Sequence, residues 1–224
     1  MKKTIVSWSG GKDSTIMLHR LLQNPEYHIS GLFTSINRVA RSVPFHGIRE
    51  DLLKDQAASL GLAIQFIELS PSPSNNEYEE SLGEFLKSCK ENQITHAAFG
   101  DIFLKDIREY RENLVMDSGL QAVFPLWRER TDSLAGQFIA DGYKAFICGI
   151  DGSKLPYSLL GHHYDGAFIE TIKKSADPCG ENGEFHTFVY GGPIFSTELS
   201  FAAAGTENTF SDFRTLLLQR EDNT

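Results

Sequence analysis

The chain lacks an apolar run approaching the length of a bilayer span, so no membrane segment is expected. Its opening Met-Lys-Lys is followed by an apolar stretch of only about five residues. That is too short for a secretory signal, and a cytoplasmic location is the expectation. Cysteine is scarce. Cys89, Cys148 and Cys179 are scattered, form no Cys-x-x-Cys, and read as reduced thiols. Excess positive charge is also missing, with 21 Lys and Arg against 30 Asp and Glu and a net charge of −9. A large nucleic-acid footprint needs a basic face, so nucleic acid is an unlikely partner, although Arg38, Arg41 and Arg49 lie near one another. Internal repeats and low-complexity tracts are absent as well.

What is present fits a soluble α/β chain. Its 224 residues suffice for one large domain, or one with a small appendage. Strand patterns at residues 4–8, 29–34, 63–69, 95–99 and 145–149 alternate with helical patterns. One helix carries Met17, Leu18, Leu21 and Leu22. A second carries Ile48, Leu52, Leu53, Ala57 and Leu60 and is closed by Gly61. Further helices start at an Asn76 cap, span 106–117, and include Leu134 and Phe138. The alternation predicts a parallel five-stranded sheet flanked by helices, over residues 1–150. Residues 151–224 are expected to form a small C-terminal α+β lobe. It would comprise a helix at 165–174, a hairpin or two short strands at 185–190 and 194–201, and a frayed end from 219.

The segment Ser9-Gly10-Gly11-Lys12-Asp13-Ser14 sits between the first strand and the first helix. Glycines let the backbone approach an anion, and free amides at a helix start point toward it. Lys12, Ser9 and Ser14 add donors. Asp13 beside a phosphate makes sense if it holds Mg²⁺, a hard cation that takes oxygen ligands. The spacing fits neither Gly-x-x-x-x-Gly-Lys-Ser/Thr nor Gly-x-Gly-x-x-Gly. Thr34 and the pair Gly100-Asp101 also fall at expected strand ends, so all three segments are candidates for one crevice. A second segment, from Asp177 to Phe188, carries Glu181 and Glu184 between glycines. Two such carboxylates near a triphosphate imply a cation or a positively charged substrate group. His46 beside Gly47 is a candidate contact to nucleotide or phosphate. The adjacent His162 and His163 lack the spacing for a shared metal, and Cys179 reads as a structural thiol. On the 106–117 helix, one or two of Asp106, Arg108, Tyr110, Arg111 and Glu112 are placed to reach a substrate. No general base is evident.

The 9–14 loop resembles the pyrophosphate-binding loop (PP-loop) of the N-type ATP pyrophosphatases, in the adenine-nucleotide alpha-hydrolase superfamily. The stretch Gly180-Glu181-Asn182-Gly183-Glu184-Phe185-His186-Thr187 is similar to the C-terminal signature of the diphthine–ammonia ligase family. His46-Gly47, Gln56-Ala57, Gly100-Asp101 and Pro125-Leu126-Trp127 match that family in order. The resemblance implies an ATP-binding, AMP-forming ligase with ATP and Mg²⁺ as cofactors. A substrate carboxylate attacks the α-phosphorus, pyrophosphate leaves, and ammonia displaces AMP. By that resemblance, Ser9, Gly10, Gly11, Lys12, Asp13, Ser14, Thr34, His46, Gly100 and Asp101 bind nucleotide. Lys12, Asp13, Glu181 and Glu184 are catalytic, and Asp13 is the metal ligand. Asn182 and His186 replace a glycine and a glutamate of the usual signature, a form that resembles the bacterial branch. In a bacterial chain the acceptor would not be diphthine but another carboxylate, small or protein-borne. Two other functions stay open: a nucleotide sensor without turnover, and a tRNA-thiolating pyrophosphatase, for which a cysteine pair is missing. The oligomeric state is open, a homodimer included.

Overall fold

The computed structural model of the chain describes residues 1–44, 46–210 and 212–221. The first half alternates strand and helix: β1 (Lys2–Ser7), α1 (Lys12–Gln23), β2 (Tyr27–Asn37), α2 (Glu50–Ser59), β3 (Ile64–Leu69), α3 (Asn75–Glu91), β4 (His96–Ala98), α4 (Lys105–Asp117) and β5 (Gln121–Val123). The five strands pair in parallel in the order β3-β2-β1-β4-β5. The chain therefore builds outward from β1 on one side, then crosses back to build on the other. The reversal lies between β1 and β4, and a crevice opens at their carboxyl ends.

Alternation along the strands divides two cores. Ile5, Phe33 and Ala97 face Leu82, Leu86 and Cys89 of α3 and Val115 of α4. Val6, Leu32 and Ala98 face the other way, with Met17, Leu18 and Leu21 of α1 and Leu52, Leu53 and Ala57 of α2. The period of two puts successive residues on opposite faces, as a sheet buried on both sides requires. Leu22, grouped by its spacing with the α1 core residues, is instead 49% exposed. The α3 cap is Ser74, whose hydroxyl accepts from the Glu77 amide at 3.1 Å, in place of the expected Asn76.

After α5 (Thr131–Ala140) come β6 (Lys144–Asp151), α6 (Gly166–Ile172), β7 (Phe185–Gly191), β8 (Phe201–Phe210) and β9 (Phe213–Arg220). These strands form an antiparallel sheet in the order β7-β6-β9-β8. The five-stranded parallel sheet and the small C-terminal sheet are both as expected, but three assignments change. The strand at 145–149 belongs to β6 in the second sheet, and the three-residue β5 completes the first. The change of sheet therefore falls ahead of residue 150. Residues 194–200 form no strand, because their backbone is fastened to α2: Ser196 N donates to Ser59 O at 2.8 Å, and Ser59 Oγ to Thr197 O at 2.6 Å. The end expected to fray from 219 is held at Arg220, which pairs with Asp55 at 2.7 Å. Residues 222–224 of that end lie outside the described residues.

Phe188 and Val189 of β7, Ile147 and Ile150 of β6, and Leu218 of β9 join the same core as α1 and α2. At its centre is Gln56, fully buried on α2. It accepts from Trp8 Nε1 at 2.8 Å and donates to Gly10 O at 3.0 Å and Val189 O at 2.6 Å. Replacing it by Met keeps the volume but leaves an indole N–H and two carbonyls short of a buried partner. We expect Gln56→Met to lower unfolding stability by about 3 kcal/mol in urea denaturation. A loss below about 1 kcal/mol would show that the three bonds are dispensable.

Candidate active site

The 9–14 loop leaves β1 and turns into α1 through Gly10, whose φ of 80° favours glycine. A Cβ there would lie 2.9 Å from Gln56 Oε1. The Gly10 carbonyl accepts from both Gln56 and the Val189 amide, the latter at 2.9 Å. Gly11 O closes the first turn by accepting from Thr15 N at 3.1 Å and Ser14 Oγ at 2.9 Å. The Lys12 amide is already taken, donating to Thr187 Oγ1 of β7 at 3.0 Å. Among the described residues, the amides of Asp13 and Ser14 have no acceptor and are the donors left for an anion. Ser9 Oγ accepts from Gly11 N at 3.3 Å and lies 3.3 Å from Ser14 Oγ.

These groups border a cavity of about 230 Å³ that also takes in His46, Gly100, Asp101, Arg111, Glu181, His186 and Thr187. Gly100 permits the approach of β4 to the loop, since a Cβ there would sit 3.3 Å from the Asp13 carbonyl carbon. The cavity thus unites Ser9, Gly11, Lys12, Asp13, Ser14, His46, Gly100, Asp101 and Glu181 from the expected set. Gly10, Thr34 and Glu184 do not line it. Gly10 faces Gln56 and β7. Thr34 is buried inside β2, paired with Phe66, because the strand runs on to Asn37.

Lys12 is not a free surface charge. It is 2% exposed, with Nζ 2.8 Å from Asp13 Oδ2, in contact with the Cys179 carbonyl, and 5.3 Å from the centre of the Phe185 ring. Burial pulls its pKa down, but the Asp13 carboxylate and the other charges nearby outweigh this and hold it above the ordinary lysine value. The other Asp13 oxygen, Oδ1, is buried with no hydrogen-bond partner among the described residues. Asp101 is paired with Arg111 at 2.7 Å; burial nonetheless raises its pKa, against the pull of Arg111.

The two glutamates of the 177–188 segment part company. Glu181 reaches across the cavity, and its Oε1 accepts from Ile102 N at 2.8 Å and Phe103 N at 3.4 Å. Burial, the largest influence, pushes its pKa up to about 7. Glu184 is 4% exposed and turned inward. Its Oε1 accepts from Asp177 N and Asn182 Nδ2, both at 3.1 Å, which ties the loop to itself. The geometry gives Glu184 a loop-holding position, in place of the ligand-facing one expected. Cys179 is buried, its Sγ 3.4 Å from Thr131 O, and burial raises the thiol pKa well above its ordinary value. Arg41 is paired with Glu50 and Glu68, and Arg49 with Asp51, so the basic group in this stretch is largely neutralised.

Sequence reasoning missed Thr187, which caps α1 from a different sheet, and did not assign His186 a contact. His46 and His186 stack with ring centroids 4.0 Å apart, and Phe213 lies 5.3 Å beyond His186. Burial lowers the His46 pKa to about 4, helped by Lys12, and holds His186 well below its ordinary value. Arg111 was one of five polar candidates on α4, and it is the one that reaches the cavity. Nothing in local spacing separated it from the others.

The fold is α/β, and the 9–14 loop borders a cavity at the switch point of its parallel sheet. A family model described as the diphthamide synthase N-terminal domain matches residues 2–122, and one described as the diphthamide synthase C-terminal domain matches residues 130–219. The chain belongs to the diphthamide synthase family. The interval between the two matched stretches coincides with the passage from one sheet to the other. The chain is 30% identical over 127 residues to diphthine–ammonia ligase of Rattus norvegicus, covering 54% of this chain and 47% of the relative. It is 30% identical over 126 residues to the Homo sapiens protein of the same name, covering 54% and 47%. To the Danio rerio protein it is 27% identical over 141 residues, covering 60% and 55%. The chain spans about half the length of the curated relatives it matches.

The imidazole pair has a consequence for stability. Both rings are depressed in the folded state, so below the ordinary histidine range the unfolded chain binds more protons. The His46 contribution is complete above about pH 6.5 and is lost as pH falls toward 4, and His186 shifts in the same direction. We expect the double substitution His46→Gln and His186→Gln to flatten the loss of stability between pH 7 and pH 5 in urea melts. An unchanged slope would place both titrations outside this window.

Proposed function

We propose that the chain is an ATP-dependent ligase that activates a carboxylate by adenylation and passes it to ammonia, with release of pyrophosphate and AMP. The observation that carries this reading is the loop at the switch point: two helix-start amides without acceptors, with Lys12 and two serine hydroxyls beside them. The family membership supports it. So does the name of the relatives, diphthine–ammonia ligase, which supplies the reaction class. Residues 1–150 would hold the nucleotide, and residues 151–224 would carry the second substrate's side of the cavity.

In this reading the Asp13 and Ser14 amides and the Ser9 and Ser14 hydroxyls bind the β and γ phosphates as a PP-loop does. Lys12 offsets the charge that gathers on departing pyrophosphate. The buried Oδ1 of Asp13 has no protein partner, which fits a cation ligand. Among the described residues no three His, Cys, Asp or Glu side chains group as a metal site. Asp13 would therefore hold Mg²⁺ together with phosphate oxygens, and the ion would supply charge neutralisation there. Gly100 keeps the opposite wall close, and the Arg111 ion pair fixes Asp101 beside it. The buried Cys179 thiol does not suit sulfur transfer, which needs a thiolate.

Lys12→Gln retains a donor toward the Cys179 carbonyl while removing the charge. We expect carboxylate-dependent AMP formation to fall on the order of 10²-fold or more, with the thermal unfolding temperature close to wild type. Chromatography of the nucleotide products checks the reaction class in the same experiment. ADP as the main product would refute the adenylation reading.

A further inference from the structure

Glu181 stands in the loop between α6 and β7 and is fastened to the turn after β4. Both donors that hold it, the amides of Ile102 and Phe103, go to Oε1. Its Oε2 takes no hydrogen bond among the described residues, and the side chain lines the cavity beside the 9–14 loop. The carboxyl is therefore fixed in direction with one oxygen uncommitted. The charged groups around it come from three elements. Lys12 and Asp13 belong to α1, Asp101 with its partner Arg111 to the β4–α4 side, and Asp177 to its own loop, where Oδ1 accepts from the Glu181 amide at 3.3 Å.

We infer that Glu181 is the general base of the amide-forming step, an inference that rests on the ligase reading above. Neutral ammonia attacks the acyl carbon, and a C–N bond forms. The adduct nitrogen then carries an extra proton, which passes to Glu181 Oε2. The C–O bond to AMP breaks, and its electron pair leaves with the phosphate oxygen. The protonated carboxyl later returns its proton to water. A carboxyl raised by burial to about 7 can both accept and release a proton near neutral pH. The same rise would be of no use to a group that served only as a permanent anion.

The test is Glu181→Gln, which keeps an oxygen to accept from Ile102 and Phe103 but cannot take a proton. The probes are ATP with Mg²⁺, a panel of small carboxylic acids that includes diphthine, and either ammonium or hydroxylamine as nucleophile. Hydroxylamine is a much weaker base than ammonia, so its adduct sheds the proton to water unaided. Amide formation with ammonium should fall on the order of 10²-fold, while hydroxamate formation stays within about threefold of wild type. With rates divided by the concentration of unprotonated ammonia, the wild type should fall off below about pH 7, and the variant should lack that limb. Retention of ammonium-dependent activity would overturn the inference. Equal loss with both nucleophiles would also overturn it, by placing Glu181 before the amine step. A wild type that releases no pyrophosphate and forms no hydroxamate with any acceptor would overturn the ligase reading, and the base assignment with it.

Discussion

The buried amide of Gln56 is the joint on which the site depends. Through three hydrogen bonds it locks Trp8 at the end of β1, Gly10 in the 9–14 loop and Val189 in β7. Because an unpaired buried amide is costly, the three segments can be buried together only in the one arrangement that satisfies it. The Val189 amide on Gly10 O and the Thr187 hydroxyl on the Lys12 amide extend the same contact. The second sheet thus helps to build the 9–14 loop, holding the start of α1 from outside its own sheet.

That arrangement has an electrostatic consequence. Bringing β7 and its preceding loop onto α1 encloses Lys12, Asp13 and Glu181 in one small cavity, where charges interact more strongly than in water. Lys12 remains a cation because Asp13 lies against it, even though burial alone favours the neutral form. Glu181 has backbone amides and no comparably close cation, so burial prevails and the carboxyl moves toward neutrality. The imidazoles of His46 and His186 are held neutral by the same burial and by the field of Lys12. One cavity therefore favours a charged Lys12 while burial shifts two imidazoles and the Glu181 carboxyl toward their neutral forms.

The parallel sheet was legible because its strands are largely apolar and separated by amphipathic helices, with glycine turns after β1 and β4. The loop was legible because its chemistry is local: strand, glycine turn, helix start and donors within six residues. β5 escaped notice because three residues hold too little pattern. β6 was found but given to the wrong sheet. A strand buried on both faces looks alike in a parallel or an antiparallel neighbourhood, and only its partners β7 and β9 decide. Residues 194–200 have strand-like composition, yet Ser59 on α2 captures their backbone first.

Among the site residues, the same boundary separates Glu181 from Glu184. They are three positions apart, flanked alike, and indistinguishable by composition. One faces the cavity and the other turns inward to hold Asp177 and Asn182. The sequence by itself determined the alternating α/β frame and the strand–loop–helix of 9–14, since these follow from periodicity and local backbone chemistry. Tertiary structure alone decided which glutamate lines the cavity, that Thr187 caps α1, that His46 and His186 stack, and which groups burial pushes toward neutrality. Those outcomes depend on burial and on partners far away along the chain, and no local pattern encodes either.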